Sequence, residues 1–321
     1  MKKMKHKKAK SPRTKKQIVL NILLVIFAAV FLISGGILAW ELWIQPAMVS
    51  GENNEIADLY HQKDSNSSQD PERDANGNLL RFQDLLAVNS EIVGWINIPS
   101  IDVDLPVLQS GKDNRDFYLT HNYKKEESKA GAIYLDADCS IEGSRSMILY
   151  GHSLNSGLMF TQLNKYKDLD FYKTAPTFTF DTLKEEAEWK IISVFVTNVN
   201  ESHGTPFNYL KSDFKDDSDF LNFVYQLRIR SLYDTGVSFN ADDQIVLLST
   251  CSYEFDNFRE VVVARKVREG EDPSVDTSAA KNNPKTLYPD IWYRQYGGAK
   301  PSWPDTYEEA KEQNLLTWSE S

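Results

Sequence analysis

The stretches DQIVLLSTC (residues 243–251) and REVVVARKV (residues 259–267) set the architecture of this chain, because both have the length and apolar content of buried strands. In the first stretch, strand alternation puts Leu247, Ser249 and Cys251 on one face. Cys251 therefore stands at a strand end, where a rigid element can present a nucleophile to a substrate. Arg259 begins the second stretch, so a tight hairpin can return its guanidinium to the thiol.

Six further runs upstream have the composition of strands. They are IVGWINIP (92–99), IDVDLPVLQ (101–109), GAIYLD (131–136), SMILY (146–150), TFTFD (177–181) and EWKIISVFVTNV (188–199). Because helical patterns do not separate most of these runs, the eight strands predict a closed or nearly closed β-barrel and not a βαβ array. The predicted fold class is mainly β, with peripheral helices over residues 157–166, 169–173 and 215–232.

The N-terminal segment predicts a membrane anchor. Residues 18–40 are 23 positions without a charged side chain, and a helix of that length is about 35 Å long, enough to cross a bilayer core. A cleavable signal peptide has a shorter apolar run, so residues 17–44 are predicted to remain as a single-pass anchor in the cell membrane. Nine Lys or Arg residues occupy positions 1–16 and only Glu41 closely follows the apolar run, which predicts a cytoplasmic N-terminal arm and an extracellular remainder.

Charge and composition divide the rest of the chain. The net charge is −10, but the part after Lys16 has 27 basic and 46 acidic residues, or −19. A nucleic-acid partner is not expected, because such binding requires a basic folded surface. Residues 45–78 are polar and predict an extracytoplasmic tether with a short helix at 54–62, and residues 79–268 form the predicted compact domain. The extension 269–321 has no assigned role; its aromatic residues could bind a glycan or a partner, or pack on the barrel.

Three residues at predicted strand ends carry possible chemistry. His152 follows the strand SMILY and a glycine, and the chain has only two cysteines, with no CxxC or His/Cys cluster that would indicate a metal or another cofactor. Taken singly, Cys251 could be an inert core thiol, His152 a loop histidine and Arg259 a solvated charge. Together they suit acyl transfer, in which a thiolate attacks an acyl carbon, an imidazolium protonates the leaving amine and a guanidinium stabilises the oxyanion.

A series of blocks in this order resembles the class B sortases over most of residues 80–268. The blocks are VGWINIP, DLPVLQ, GKDNRDFYL, YGHSLNSGLMFTQLNKYKDLDFYKTAPTFTF, LLSTCSYEF and REVVVARKV. The resemblance implies an eight-stranded sortase β-barrel, with the helix over residues 215–232 as a class B feature. It also implies Cys251 as nucleophile, His152 as acid/base and Arg259 as stabiliser of the oxyanion or substrate.

The same resemblance implies a groove for a sorting signal. The residues expected to line it are Asn114, Leu119, Thr205, Tyr209, Leu210 and Ser249, for each of which ordinary packing is the alternative. Two features depart from the family. Leu247 replaces the first threonine of the pattern Thr-Leu-x-Thr-Cys, so a supporting hydrogen bond near the nucleophile is expected to be lost, and the extension after Arg268 is additional. Cys139 is interpreted as a bystander.

The implied reaction is transpeptidation on surface proteins that carry a sorting signal. The signal is cut before its last residue, the acyl group is held as a thioester on Cys251, and an amine of peptidoglycan or its lipid-linked precursor resolves it. Two alternatives remain: a pilus-polymerising sortase that uses a pilin lysine, and a catalytically silent membrane-tethered binding domain. The silent domain would be favoured if Cys251, His152 and Arg259 failed to converge. A papain-like hydrolase has no support, since no CGSCW-like block is present.

Overall fold

The structure, a computed structural model, describes residues 14–62 and 71–318. Residues 1–13 of the predicted basic arm, 63–70 of the predicted tether and 319–321 of the extension lie outside the described residues. Helices in the described residues are α1 (Lys15–Ala39), α2 (Gln45–His61), α3 (Gln83–Val88), α4 (Leu169–Thr174), α5 (Asp217–Ile229), α6 (Asp290–Tyr296) and α7 (Tyr307–Glu312). A π-helical turn, Trp40–Ile44, joins α1 to α2, and short 3₁₀ helices, among them Thr161–Lys167, occur in loops.

Eight of the strands form a closed barrel. The described residues contain ten strands in all, which are β1 (Ile92–Ile98), β2 (Val103–Leu108), β3 (Ile133–Leu135), β4 (Ser146–Tyr150), β5 (Thr177–Thr182), β6 (Glu188–Asn198), β7 (Tyr233–Asp234), β8 (Ile245–Ser252), β9 (Phe258–Lys266) and β10 (Lys281–Asn282). The barrel order is β1-β2-β3-β4-β8-β9-β6-β5, and β5 closes on β1. The predicted eight-stranded barrel is confirmed, and β7 pairs with β10 in a separate two-stranded ribbon.

Pairing directions place three strand ends together. Strand β4 runs parallel to β8, and β8 runs antiparallel to β9. The ends of β4 and β8 and the start of β9 therefore meet at one end of the barrel. Strand β8 is buried on both faces, since Leu247 and Leu248 are both fully buried, which explains why its sequence is a nearly continuous apolar run.

The chain divides into two compact units, Met1–Val49 and Ser50–Ser321. In the first unit, α1 is long and apolar enough to span a membrane, and its large side chains are exposed, as Phe27 and Leu32 illustrate. Thr14 caps this helix, because its hydroxyl accepts a hydrogen bond from the Gln17 amide at 3.4 Å. Helix α1 is thus a candidate membrane span at the predicted place.

Helix α2 is longer than the short helix expected at 54–62. It begins at Gln45, and its side chains Ile56 and Tyr60 are buried in the same core cluster as Phe82 and Trp95. The rings of Tyr60 and Trp95 stack 4.3 Å apart, and the Tyr60 hydroxyl donates to Asp181 at 2.5 Å. Part of the segment predicted as a polar tether is therefore integrated into the packing of the second unit.

The other helical predictions differ in detail. Residues 157–166 form a loop followed by the 3₁₀ helix Thr161–Lys167, and the helix predicted at 215–232 is α5, capped by the Asp216 carboxylate, which accepts from the Asp219 amide at 2.8 Å. The extension packs back on α5: Tyr307, Ala310 and Trp318 form a cluster with Tyr225 and Ile229 of that helix. The sequence left open whether the aromatic residues of the extension bind a glycan or a partner, or pack on the barrel domain. Tyr307 and Trp318 pack on the domain.

Candidate active site

Strand register makes Cys251 and Arg259 direct neighbours. Cys251 is the penultimate residue of β8, and its partner across the antiparallel pair is Arg259, the second residue of β9. The Arg259 guanidinium donates to the Phe258 carbonyl at 3.1 Å. Within the described residues, Arg259 has no carboxylate ion-pair partner, so a partly exposed thiol and a cation without a counterion lie side by side.

His152 is held at the adjacent strand end by backbone contacts. Gly151 donates its amide to the Ser249 carbonyl at 3.3 Å, and the Thr250 hydroxyl donates to the Gly151 carbonyl at 2.8 Å. A glycine is required at 151 by close approach, because an added Cβ would lie 2.7 Å from the Phe160 ring. These contacts fix the residue before His152 to the two residues before Cys251.

The imidazole of His152 has a defined partner. Its Nε2 lies 2.7 Å from the Leu119 carbonyl oxygen, and since a carbonyl oxygen only accepts, Nε2 carries a hydrogen in this arrangement. The His152 carbonyl in turn accepts from the Phe160 amide at 3.0 Å. The ring is therefore held by the loop that precedes β3 as well as by its own loop.

Cys251, His152 and Arg259 line one cavity of about 510 Å³ at this end of the barrel. Four of the predicted groove residues, Leu119, Tyr209, Leu210 and Ser249, line the same cavity. The described lining of this cavity does not include Asn114 or Thr205. Asn114 lies in an exposed 3₁₀ helix, and Thr205 lines a second, smaller cavity of about 120 Å³.

Two of these groove residues form a buried polar pair. The Tyr209 hydroxyl and Ser249 Oγ are 2.9 Å apart, and both side chains are buried. Burial raises the pKa of Tyr209, against smaller effects of Ser249 and of the Arg259 charge that lower it. The hydroxyl therefore stays protonated at neutral pH and is available as a hydrogen-bond donor in the wall of the cavity.

The sequence interpretation missed several polar residues of the cavity. Tyr134, Asp136 and Tyr150 also line it, and the Tyr150 hydroxyl donates to Asp136 at 2.7 Å. Burial, together with this hydrogen bond, raises the pKa of Tyr150 far above its ordinary value, so it remains neutral. Their positions in the sequence could have indicated this. Asp136 directly follows β3, and Tyr150 is the last residue of β4, the strand that leads to His152.

The two cysteines occupy different environments. Both are free, but Cys139 is buried and Cys251 is partly exposed. Burial raises the pKa of the Cys139 thiol to about 12, so this residue stays a thiol at neutral pH. Leu247, the departure from the family pattern, is fully buried among strand neighbours. The site therefore contains one accessible sulfur, and an apolar contact stands where the family pattern has a hydroxyl.

Comparison with known proteins agrees with this geometry. Residues 96–267 match the sortase domain family. Sortase B of Listeria monocytogenes is 34% identical over 239 residues, which cover 73% of this chain and 90% of the relative.

Solved structures give the same result. The crystal structure of sortase B from B. anthracis in complex with AAEK1 has a TM-score of 0.61 at 29% identity and covers 71% of this chain and 100% of that chain. The Staphylococcus aureus sortase B-substrate complex has a TM-score of 0.61 at 25% identity, with 70% and 99% coverage. The chain therefore belongs to the sortase family of cysteine transpeptidases, in class B.

Proposed function

We propose that this chain is a membrane-anchored transpeptidase that cleaves the sorting signal of surface proteins and transfers the acyl product to an amine of peptidoglycan or its precursor. The observation that carries this proposal is the common cavity of Cys251, His152 and Arg259. A catalytically silent domain would not need an accessible thiol, an imidazole and a guanidinium in one cavity. The apolar helix α1 supports the membrane attachment, and the basic residues before it support a cytoplasmic N-terminus.

The first half-reaction uses all three groups. The Cys251 thiolate attacks the carbonyl carbon of the scissile peptide bond, forming a C–S bond while the carbonyl oxygen takes up negative charge. The Arg259 guanidinium stabilises that oxygen. As the C–N bond breaks, the imidazolium of His152 gives its proton to the leaving amine, and a thioester remains on Cys251.

The second half-reaction reverses the proton transfer. The acceptor amine attacks the thioester carbon, and the neutral imidazole of His152 takes the amine proton. The C–S bond breaks and the Cys251 thiolate leaves, so that a new amide is formed and the enzyme returns to its starting state. Arg259 stabilises the oxyanion of this step also.

The cavity walls support a peptide substrate. Leu119 and Leu210 provide apolar surface, and the Tyr209 and Ser249 hydroxyls provide hydrogen-bonding groups beside the nucleophile. The likeness to a sortase B that was solved as a substrate complex supports a substrate site in this chain also. Polar groups of this kind orient a ligand, whereas apolar groups supply most of the buried area.

The chain offers a matched control for the test. Full-length protein in detergent is incubated with a library of peptides that carry sorting-signal sequences, and cleavage and the acylated enzyme are followed by mass spectrometry. We expect the acyl group on Cys251, no cleavage by Cys251→Ala, and normal cleavage by Cys139→Ala. Full activity of Cys251→Ala would exclude the mechanism.

The acceptor is identified in a second set of reactions. Peptidoglycan-precursor peptides with a free amine are compared with lysine-containing pilin peptides at equal concentration. We expect the wall-type amine to increase the rate at which acyl enzyme disappears and to yield the amide product. A product formed only with the pilin lysine would favour the pilus-polymerising alternative.

A further inference from the structure

Helix α6 of the C-terminal extension lies against two loops that adjoin the active site. The β8–β9 loop, residues 253–257, connects the strands of Cys251 and Arg259, and the β6–α5 loop, residues 199–216, carries Tyr209 and Leu210. Helix α6 contacts both loops, although the sortase domain match ends at residue 267, before the extension begins. The extension therefore adds contacts to the loops at the active-site end of the barrel.

The first set of contacts is aromatic. The Phe255 ring, in the β8–β9 loop, lies 6.1 Å from the Trp292 ring and 5.9 Å from the Tyr296 ring of α6. On its other side, Phe255 packs 4.9 Å from Phe258. Phe258 is fully buried and precedes Arg259, whose guanidinium donates to the Phe258 carbonyl. A continuous chain of contacts thus runs from α6 to Arg259.

The second set of contacts is with the β6–α5 loop. Arg294 of α6 donates to the Ser202 carbonyl at 2.7 Å. Gly204 has φ +114°, and an added Cβ would lie 2.8 Å from the Asp290 side chain. A glycine is therefore needed at 204 both for its backbone conformation and for the close approach of α6. The His203 ring lies 6.1 Å from Phe255 and 5.8 Å from Phe258, so the two loops also contact each other.

Helix α6 is partly exposed, and contacts within the extension and with α5 hold it. Its Trp292 ring stacks on Tyr288 at 4.2 Å, and Lys300 pairs with Asp290 at 2.7 Å. The segment before α6 is hydrogen bonded to the end of α5, since the Leu287 amide donates to the Ile229 carbonyl at 2.9 Å. The helix is therefore connected to the domain as well as to the two loops, which lets it support them.

We propose that Trp292 and Tyr296 are positioning residues for the transpeptidase, which hold Phe255 and, through Phe258, the guanidinium of Arg259 beside Cys251. This inference rests on the proposed function for its kinetic consequence. Neither Trp292 nor Tyr296 is among the described residues that line the active-site cavity. Their role is to limit the positions that Arg259 can adopt, so that the cation is in place when the oxyanion forms.

Another part of the extension provides the control. The Trp303 ring lies 6.5 Å from Tyr225 of α5, and its indole donates to the Lys285 carbonyl at 3.0 Å. Trp303 thus supports the packing of the extension on α5, whereas Trp292 contacts the β8–β9 loop. Trp303→Ala removes an aromatic ring of the same size without removing the contact to Phe255.

The experiment compares Trp292→Ala, Trp292→Phe and Trp303→Ala in the full chain. For Trp292→Ala we expect kcat for peptide cleavage to fall about tenfold with KM changed less than about twofold, because the affected interaction acts in the transition state. Trp292→Phe keeps a ring against Phe255 and should recover most of kcat. Trp303→Ala should lower Tm but leave kcat at 25 °C near that of the unmodified chain.

A double-mutant cycle with Arg259→Ala identifies the route of the effect. If Trp292 acts through Arg259, Trp292→Ala should have little further effect on the residual activity of the Arg259→Ala protein. An equal fold-loss in both backgrounds, or equal kcat losses in Trp292→Ala and Trp303→Ala, would overturn the proposal.

Hydrogen exchange provides a readout that does not depend on activity. Amides of residues 253–258 should exchange faster in Trp292→Ala than in Trp303→Ala, whether or not a peptide substrate has been found. Unchanged exchange in this segment would overturn the positioning role. Absence of peptide cleavage by the unmodified chain, with faster exchange in Trp292→Ala, would instead contradict only the proposed function.

Discussion

The two ends of strand β9 place buried charges in opposite situations. At the end away from the active site, Arg265 is 1% exposed and donates to both carboxylate oxygens of Glu271 at 2.6 Å. Lys190, also buried, lies 2.7 Å from the same carboxylate. At the active-site end, Glu260 is 1% exposed, and its Oε1 has no hydrogen-bond partner within the described part of the chain.

This difference indicates that the far end of β9 has a structural role and that its active-site end has a catalytic role. The buried cations Arg265 and Lys190 have Glu271 as a counterion, so loss of this carboxylate would leave them uncompensated, and the ion pairs connect the start of the extension to the barrel. At the other end, Arg259 has no carboxylate partner among the described residues, and the nearest cation to Glu260 is Lys167, 3.7 Å from Oε2. A guanidinium that is not neutralised by the protein can respond to negative charge that develops on a substrate.

Among changes at the two ends of β9, the largest effect should come from Arg259. Arg259→Lys keeps the charge but shortens and reshapes the donor group, so we expect kcat/KM for peptide cleavage to fall about 10²- to 10³-fold. Tm should change little, because no ion pair of the fold is lost. Activity and thermal unfolding measured on the same preparations check this. A variant with normal activity would show that the guanidinium geometry is not needed.

The strand ends were predictable from sequence, whereas the ion pairs were not. Apolar runs with short turns identified all eight barrel strands, and the positions of Cys251, His152 and Arg259 at strand ends follow from those runs. Glu271 lies in EGEDPSVDTS, which has the composition of a solvated linker. Its pairing with Lys190 joins residues far apart in sequence, and composition gives no information about such contacts.

Two further features of the structure could not be predicted for the same reason, because each depends on contacts with residues that are distant in the sequence. Ile56 and Tyr60 are four residues apart, so they form only a narrow apolar stripe in a polar segment, and the docking of α2 depends on Trp95 from the barrel. Thr205, assigned to the groove by resemblance, lines a second cavity together with Leu287 and Asp290 of the extension, which the resemblance does not cover, and its role in substrate binding stays a prediction. Segments that depend on distant partners were therefore the least predictable.

The second prediction concerns the far end of β9, where Glu271 pairs with buried cations. Glu271→Gln leaves the buried Arg265 and Lys190 without a counterion, so we expect the free energy of unfolding to fall by about 3 kcal/mol. The hydrogen bonds from Arg265 hold the pKa of Glu271 far below its ordinary value, so its stabilisation is present above pH 4.5 and is lost as pH falls further. Denaturant unfolding at pH 7 measures the loss.

Glu269 provides the matched control, because it is exposed and two residues away. Glu269→Gln should unfold like the unmodified chain, and kcat of Glu271→Gln at low temperature should be unchanged. The same argument predicts that a chain ending at the expected domain boundary, Arg268, is less stable than one ending at Ser274, because only the longer chain retains Glu271. Equal stability of the two truncations would contradict this assignment.

The third prediction concerns the active-site end of β9, where a substitution removes the charge of Glu260. Burial raises the pKa of Glu260 from 4.5 to about 7, with Glu254 adding to the shift and Lys167 opposing it. The folded state therefore binds the extra proton between these two pH values, and stability falls as pH rises through that interval. Glu260→Gln stays neutral, so its stability relative to Glu should rise from no difference near pH 4 to roughly 3 kcal/mol above pH 7.

Denaturant unfolding at several pH values measures this difference. The charged or titratable groups around Glu260 are Lys167, Glu254 and Tyr233, so Lys167→Met should increase the destabilisation above pH 7. A Glu260→Gln protein that loses stability at pH 8 would show that the carboxylate is needed there. Glu260→Gln and Glu271→Gln thus make opposite changes at neutral pH, which is the sharpest test of the contrast between the two ends.

The smallest effect concerns the contact that joins the histidine loop to β8. Thr250→Val removes the hydroxyl that donates to the Gly151 carbonyl at 2.8 Å but keeps the shape of the side chain. We expect a loss of about 1 kcal/mol in stability, the usual value of one hydrogen bond, and a fall in kcat of about three- to fivefold because His152 is held less firmly. Thr250→Ser retains the donor and should recover kcat even if it loses stability through the missing methyl group. If serine reduced kcat and valine did not, packing of the methyl group and not the hydrogen bond would position the loop, and the active-site end would depend on side-chain packing as the far end depends on charge.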